Sequence, residues 1–163
     1  MKRRLRPRSA YDASGNLRSK IDARATTCFG VLSGSTCGGT GYDWLDRPVK
    51  KSYSLADTPA VTWCYDGKTY SGGSCAGGAV SGEIGFLTAV GNSVAASEYR
   101  HDVLGRVTRS EQTVGGISYV FGDPADANVA GYEYDLAGGL TKMIYPSGRA
   151  VDYTYEARAG PTR

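Results

Sequence analysis

A chain of 163 residues is long enough for one domain with a core of its own. With 23 Gly and 6 Pro it is rich in turns without being low in complexity, and 12 Tyr against 3 Phe, among many Thr, Val and Ser, suit half-exposed pleated strands, so the expected class is all-β. The net charge of +3 is carried by the first residues, MKRRLRPR, while the remainder is slightly acidic; no nucleic-acid partner is expected of that body.

Residues 1–8 read as a basic, solvated and disordered arm, the alternative being a contact with nucleic acid or anionic lipid. The charged start is not followed by the apolar stretch of a secretory signal, and no apolar run in the chain approaches the length of a membrane span. Export, if it occurs, is expected to be directed by sequence this chain lacks.

From residue 9 to residue 163 one β region is expected, organised by a recurring phrase. It is met first as YDASGNLR from Tyr11, with Asp12 second and Gly15 fifth. An Asp where a strand enters a turn can accept a bond from a backbone amide two residues on. A Gly in fifth place supplies the positive φ that tight connections need. Next come Cys28 and Cys37 around a Gly/Ser-rich stretch, then YDWLDRPV from Tyr42 and Asp43, in which Asp46 replaces the Gly.

A shorter YDGKTY begins at Tyr65 and Asp66, between Cys64 and Cys75. Within each local cysteine pair the spacing exceeds the roughly two to four residues that usually separate paired zinc ligands. Two loop-closing disulfides in an oxidising compartment are the favoured reading, with reduced thiols or another pairing left open. GNSVAASEYR is the best helix candidate and reads equally as a strand with a loop.

HDVLGRVT follows from His101, with Asp102 second and Gly105 fifth, and TVGGISYVF then predicts a hairpin about Gly115 and Gly116. YDLAGGLT starts at Tyr134, with Asp135 and Gly138 in the same places. LTKMIYPSGRAVDYTY predicts strand, a turn at 146–148 and strand, with Val151, Tyr153 and Tyr155 on one face. A last copy, YEARAGPT, runs from Tyr155 and Glu156. An aromatic stands two residues before several of these phrases (Trp63, Tyr99, Tyr132, Tyr153), so successive hairpins are expected to stack their rings into a ladder.

These phrases resemble the YD repeat of the RHS and teneurin families, Tyr-Asp-x-x-Gly-Arg-(Leu/Val)-Thr followed by a strand, a turn and a Tyr-rich strand. The resemblance covers roughly residues 9–163 and is weakest in the cysteine-containing insertions; His101 for Tyr, Asp46 for Gly and Glu156 for Asp depart from it. It implies antiparallel β-hairpin repeats forming a curved sheet, a section of a spiral shell that in bacterial relatives encloses a C-terminal toxin and in teneurins belongs to a secreted or cell-surface protein. The implied partners are the remainder of such a shell or its cargo. Because a closed shell needs many more hairpins, a fragment of one is expected.

Chemistry has little to work with. The sole histidine, His101, stands in a Tyr place and is expected to stack rather than act as base or ligand; no Gly-rich loop ends in Lys-Ser/Thr, and no His-Glu-x-x-His occurs. Most acids recur at the capping place, so catalytic residues, cofactor and metal are all expected to be none. The second reading is a surface module binding carbohydrate or protein, with Trp44 and Trp63 as contact residues.

Overall fold

A computed structural model describes residues 7–123, 125–126 and 129–155. Most of the basic arm, and the last phrase from Glu156 onward, lie outside the described residues.

Every regular element among the described residues is a strand. Strands β1 (Arg8–Tyr11), β2 (Leu17–Ile21) and β3 (Thr26–Phe29) open an antiparallel sheet, and a small hairpin, β4 (Val31–Ser33) with β5 (Thr36–Gly38), interrupts it. The sheet resumes with β6 (Lys50–Tyr53) and β7 (Val61–Tyr65) before a second small hairpin, β8 (Thr69–Ser71) with β9 (Ser74–Ala76). It then runs through β10 (Leu87–Gly91), β11 (Ala95–His101), β12 (Val107–Val114) and β13 (Ile117–Phe121). The spatial order of these nine strands, β1-β2-β3-β6-β7-β10-β11-β12-β13, follows the chain once the two small hairpins are set aside.

Strands β14 (Tyr132–Tyr134), β15 (Leu140–Ile144) and β16 (Ala150–Asp152) form a three-stranded antiparallel sheet. Its first strand takes up the line of β13: the Gly131 amide donates to the Thr108 carbonyl at the start of β12 (2.7 Å), and the Gly122 amide donates to the Ile144 carbonyl (3.2 Å). Strand β14 thus continues the meander beyond β13.

The segment read as helix or strand is a strand: Asn92 turns the chain, its Oδ1 accepting from the amides of Val94 and Ala95, and β11 follows. The hairpin at Gly115 and Gly116 forms as expected, both residues having positive φ. The turn at 146–148 forms too, closed by Tyr145 with Arg149 and by Gly148 with Tyr145. Its second strand, however, ends at Asp152, and Tyr153 and Tyr155 lie beyond it.

Little apolar side chain is fully enclosed. Among the described residues the buried hydrophobic ones are Cys28, Cys64, Ala89 and Val120, and the largest that are completely enclosed are the two cysteines. Disulfides Cys28–Cys37 and Cys64–Cys75, with Cα separations of 5.4 and 5.5 Å, fold each small hairpin back onto one face of the sheet. That face carries Cys28 opposite Ser52, and Cys64 opposite Ala89. The Leu32 amide donates to Ser52 Oγ, and the Thr62 hydroxyl donates to the Gly73 carbonyl. Closing a loop of this length contributes roughly 3 kcal/mol on a chain-entropy account, so the tethered hairpins stand in for a second layer.

The two hairpins are themselves one device used twice. Leu32 opposes Cys37 and Ser33 opposes Thr36 in the first, as Tyr70 opposes Cys75 and Ser71 opposes Ser74 in the second.

Candidate functional site

The turns of the recurring phrase are one structure in four copies. Tyr11 pairs with Leu17, Tyr42 bridges Pro48, His101 pairs with Val107 and Tyr134 pairs with Leu140. In each, the amide in fifth place donates to the carbonyl in second place: Gly15 to Asp12, Asp46 to Asp43, Gly105 to Asp102, Gly138 to Asp135. Fifth place has positive φ throughout, 88° at Gly15, 57° at Asp46, 80° at Gly105 and 87° at Gly138. Asp46 departs from Gly in letter and keeps the conformation, which Asp adopts at lower cost than most residues.

Each second-place carboxylate caps its own turn. Oδ1 of Asp12 accepts from the Ser14 and Asn16 amides, that of Asp43 from Leu45 and Arg47, that of Asp102 from Leu104 and Arg106, and that of Asp135 from Gly139.

Asp66 is the exception. The chain from Gly67 leaves in the second tethered hairpin instead of turning back, and the Asp66 carboxylate accepts from the distant Gly85 amide and from Arg47. It shares the letters of the phrase and does another job.

Consecutive phrases meet in joints. The Tyr hydroxyl of one phrase donates to the seventh-place carbonyl of the phrase before: Tyr42 to Leu17 (3.0 Å), Tyr65 to Pro48 (3.0 Å), Tyr134 to Val107 (2.8 Å) and Tyr155 to Leu140 (2.9 Å). His101, lacking a hydroxyl, breaks the series. Its Nδ1 pairs with Glu83 Oε2 at 2.6 Å, its amide donates to Glu83 Oε1 at 3.0 Å, and its ring lies 4.9 Å from that of Phe86. Glu83 comes from the insertion after Asp66, and nothing in the local sequence marks it as His101's partner.

An arginine in sixth place closes two of these joints. Arg47 Nε donates to Asp43 Oδ2 at 2.7 Å, its Nη atoms fork onto both oxygens of Asp66 at 3.1 and 3.0 Å, and its guanidinium lies 4.3 Å from the centre of the Tyr65 ring. Arg106 repeats this with Asp102 Oδ2 (2.7 Å), the Asp135 carbonyl (3.1 Å) and the Tyr134 ring (4.7 Å).

The charges follow from these contacts. Arg47's side-chain bonds hold Asp66 below the usual carboxylate range, with the Gly85 amide adding to the effect. At Asp43 burial pushes the carboxyl up, and the amides of Arg47 and Leu45 with the Arg47 guanidinium outweigh it, so the group is lowered. Bonds to Asp66 first, and then to Asp43, push Arg47 further above its already high range.

The ring ladder is not what holds the hairpins together. Among the described residues the ring contacts are Phe29 with Tyr42, Phe86 with His101, and Phe121 with both Tyr132 and Tyr145, so of the upstream aromatics expected to form a ladder only Tyr132 meets another ring, and Trp63, Tyr99 and Tyr153 do not. Residues two apart on a strand share a face but lie about 7 Å apart, so each ring finds a closer partner across a chain crossing. At two crossings the backbones touch. A methyl on Gly41 would overlap the Phe29 carbonyl, and one on Gly131 that of Phe121, so only Gly lets the loop return beneath the stacked pair.

The two tryptophans are not brought together. Trp63 is half-buried, its ring 5.6 Å from Lys51 Nζ. Trp44 is wholly exposed at the tip of its turn, on the rim of a cleft of about 640 Å³ that also takes in Asp12, Arg18, Tyr42, Asp43 and Asp46. Among the described residues no group of three or more His, Cys, Asp or Glu could hold a metal ion, and no helix is long and apolar enough to cross a membrane. The sequence matches no family model and none of the curated proteins with which it was compared.

Proposed function

We propose that the chain is a non-enzymatic structural section of a YD-repeat β-wall of the RHS and teneurin type, whose partners are neighbouring wall and enclosed cargo. The observation that carries this reading is the hydroxyl-to-carbonyl link, which joins one phrase to the next at four joints with the same places used each time. A device that repeats along the chain adds hairpins indefinitely, as stacked repeats do. The edges favour the same reading: among the described residues β1 pairs with β2 alone and is exposed along its length, and β16 pairs with β15 alone. Unpaired strand edges are templates for further pairing. The two disulfides fit an oxidising compartment, such as the cell surface or the space beyond it.

A second reading, a carbohydrate- or protein-binding surface module, is favoured by Trp44 alone, a large apolar ring held in water beside a cleft. Light scattering on the oxidised chain emerging from a sizing column tests the wall reading. Association that grows with concentration, and that Pro substitutions in β1 and β16 suppress, is expected. A compact monomer at every concentration contradicts it, and selective retention on a glycan panel would favour the second reading.

A further inference from the structure

The cleft beside Trp44 occupies the joint between the first two phrases, and that joint lacks the arginine that closes two others. Sixth place is Arg47 in the second phrase and Arg106 in the fourth, but Asn16 in the first, whose Nδ2 reaches only Asp46 Oδ1 (2.6 Å). The consequences appear on both neighbours. Asp43 Oδ2 and Asp102 Oδ2 each accept from an arginine Nε at 2.7 Å, whereas Asp12 Oδ2 has no hydrogen-bond partner among the described residues. Tyr65 and Tyr134 each carry a guanidinium over the ring; Tyr42 carries none. Burial raises all three phenols and a carboxylate adds to the rise at each, Asp12 at Tyr42, Asp43 at Tyr65 and Asp102 at Tyr134, but arginine counters part of it at Tyr65 and Tyr134 alone.

The last joint is also without arginine, but it is filled another way. Sixth place there is Gly139, and the Tyr155 ring lies so close that a methyl on Gly139 would stand 3.0 Å from it. The first joint combines a cleft with an unpaired second-place carboxylate oxygen, whereas the cleft at the second joint is lined by Arg47 itself.

We propose that this cleft is a binding site for a guanidinium group, presented by an arginine side chain of a basic peptide segment. Asp12 Oδ2 takes the place that Asp43 Oδ2 has for Arg47, and the Tyr42 ring takes that of Tyr65. Asp46 supplies a second carboxylate, and the free indole of Trp44 a face on which a planar cation stacks. Of the three carboxylates lining the cleft Asp43 is paired with Arg47, which leaves Asp12 and Asp46 against one guanidinium, Arg18, which donates to the Cys37 carbonyl. The site therefore favours a cation, and a forked donor over a point charge. The inference stands on the joints and does not need the wall reading.

The test is an amide NMR titration of the oxidised chain with a tri-arginine peptide, its tri-lysine counterpart, and a tri-citrulline peptide that keeps the shape without the charge. Saturable shifts at Asn16, Tyr42 and Trp44 are expected with arginine, at least tenfold weaker with lysine and absent with citrulline. Asp12→Asn, which keeps a side-chain oxygen to cap the turn, is expected to weaken binding at least tenfold. Asn16→Arg is expected to fill the cleft from within, abolishing binding while raising the melting temperature. No shifts with the arginine peptide, equal binding of lysine or citrulline, or undiminished binding by Asn16→Arg would each overturn the assignment.

Discussion

Removing one hydroxyl from a joint isolates its share of the stability. In Tyr134→Phe the ring stays under the Arg106 guanidinium and only the 2.8 Å bond to the Val107 carbonyl is lost. A net intramolecular hydrogen bond is worth about 1 kcal/mol, which for a chain of this size is about 2–4 °C in melting temperature. Tyr42→Phe and Tyr65→Phe remove equivalent bonds at other joints and are expected to cost the same. The three sites share no partner, so the triple variant is expected to lose about 3 kcal/mol. Tyr11 is the internal control, since it heads the first phrase, is mostly exposed and has no hydroxyl partner among the described residues; Tyr11→Phe is expected to change stability by less than about 0.5 kcal/mol. Calorimetry of the oxidised proteins reads all five. A loss at Tyr11 equal to that at Tyr134, or a triple variant no weaker than a single one, would refute the reasoning.

Three further outcomes are expected. Gly41→Ala and Gly131→Ala drive a methyl into the crossing backbone and should each cost about 3 kcal/mol in denaturant titrations, against about 1 kcal/mol for Gly34→Ala, which has positive φ but open space around it. Reducing the disulfides should lower stability by roughly 3 kcal/mol each, seen as an earlier urea midpoint with reductant than without. Burial first, and then the facing Glu111, raise the Glu98 carboxyl, so the folded chain prefers it protonated. Its unfavourable contribution is absent below the ordinary glutamate value of about 4.3, grows as pH rises above it, and is complete above the raised folded-state value. Glu98→Gln should therefore raise the melting temperature at pH 7 and leave it unchanged at pH 3.

What could be read from the sequence was local. The Asp cap and the fifth-place turn lie within five residues of one another, so their spacing specifies them; Asp46 shows that conformation outlasts the letter. The cysteine pairs were legible for the same reason. The joints were not, because Tyr134 reaches Val107 and Arg47 reaches Asp66 across a whole hairpin, and no short spacing encodes a contact between successive repeats. A shared face did not identify the ring partners, because Phe29 meets Tyr42 and Phe121 meets Tyr132 across separate segments of the chain. Asp66 shows the opposite failure, a motif match at which the chain makes a tighter turn, the Lys68 amide donating to the Tyr65 carbonyl, in place of the turn of the other copies. Glu83 carried no signal at all.

The central claim is that hydroxyl-to-carbonyl links bind successive phrases at four joints, the His101 junction being the exception. Proton NMR of the oxidised chain addresses it directly, because a phenolic proton held in such a bond exchanges slowly with water and gives its own resonance. Separate, slowly exchanging hydroxyl signals are predicted for Tyr42, Tyr65 and Tyr134, each close in space to the residue before or after its acceptor carbonyl. Hydroxyl protons of these three residues in fast exchange, indistinguishable from that of Tyr11, would contradict the account.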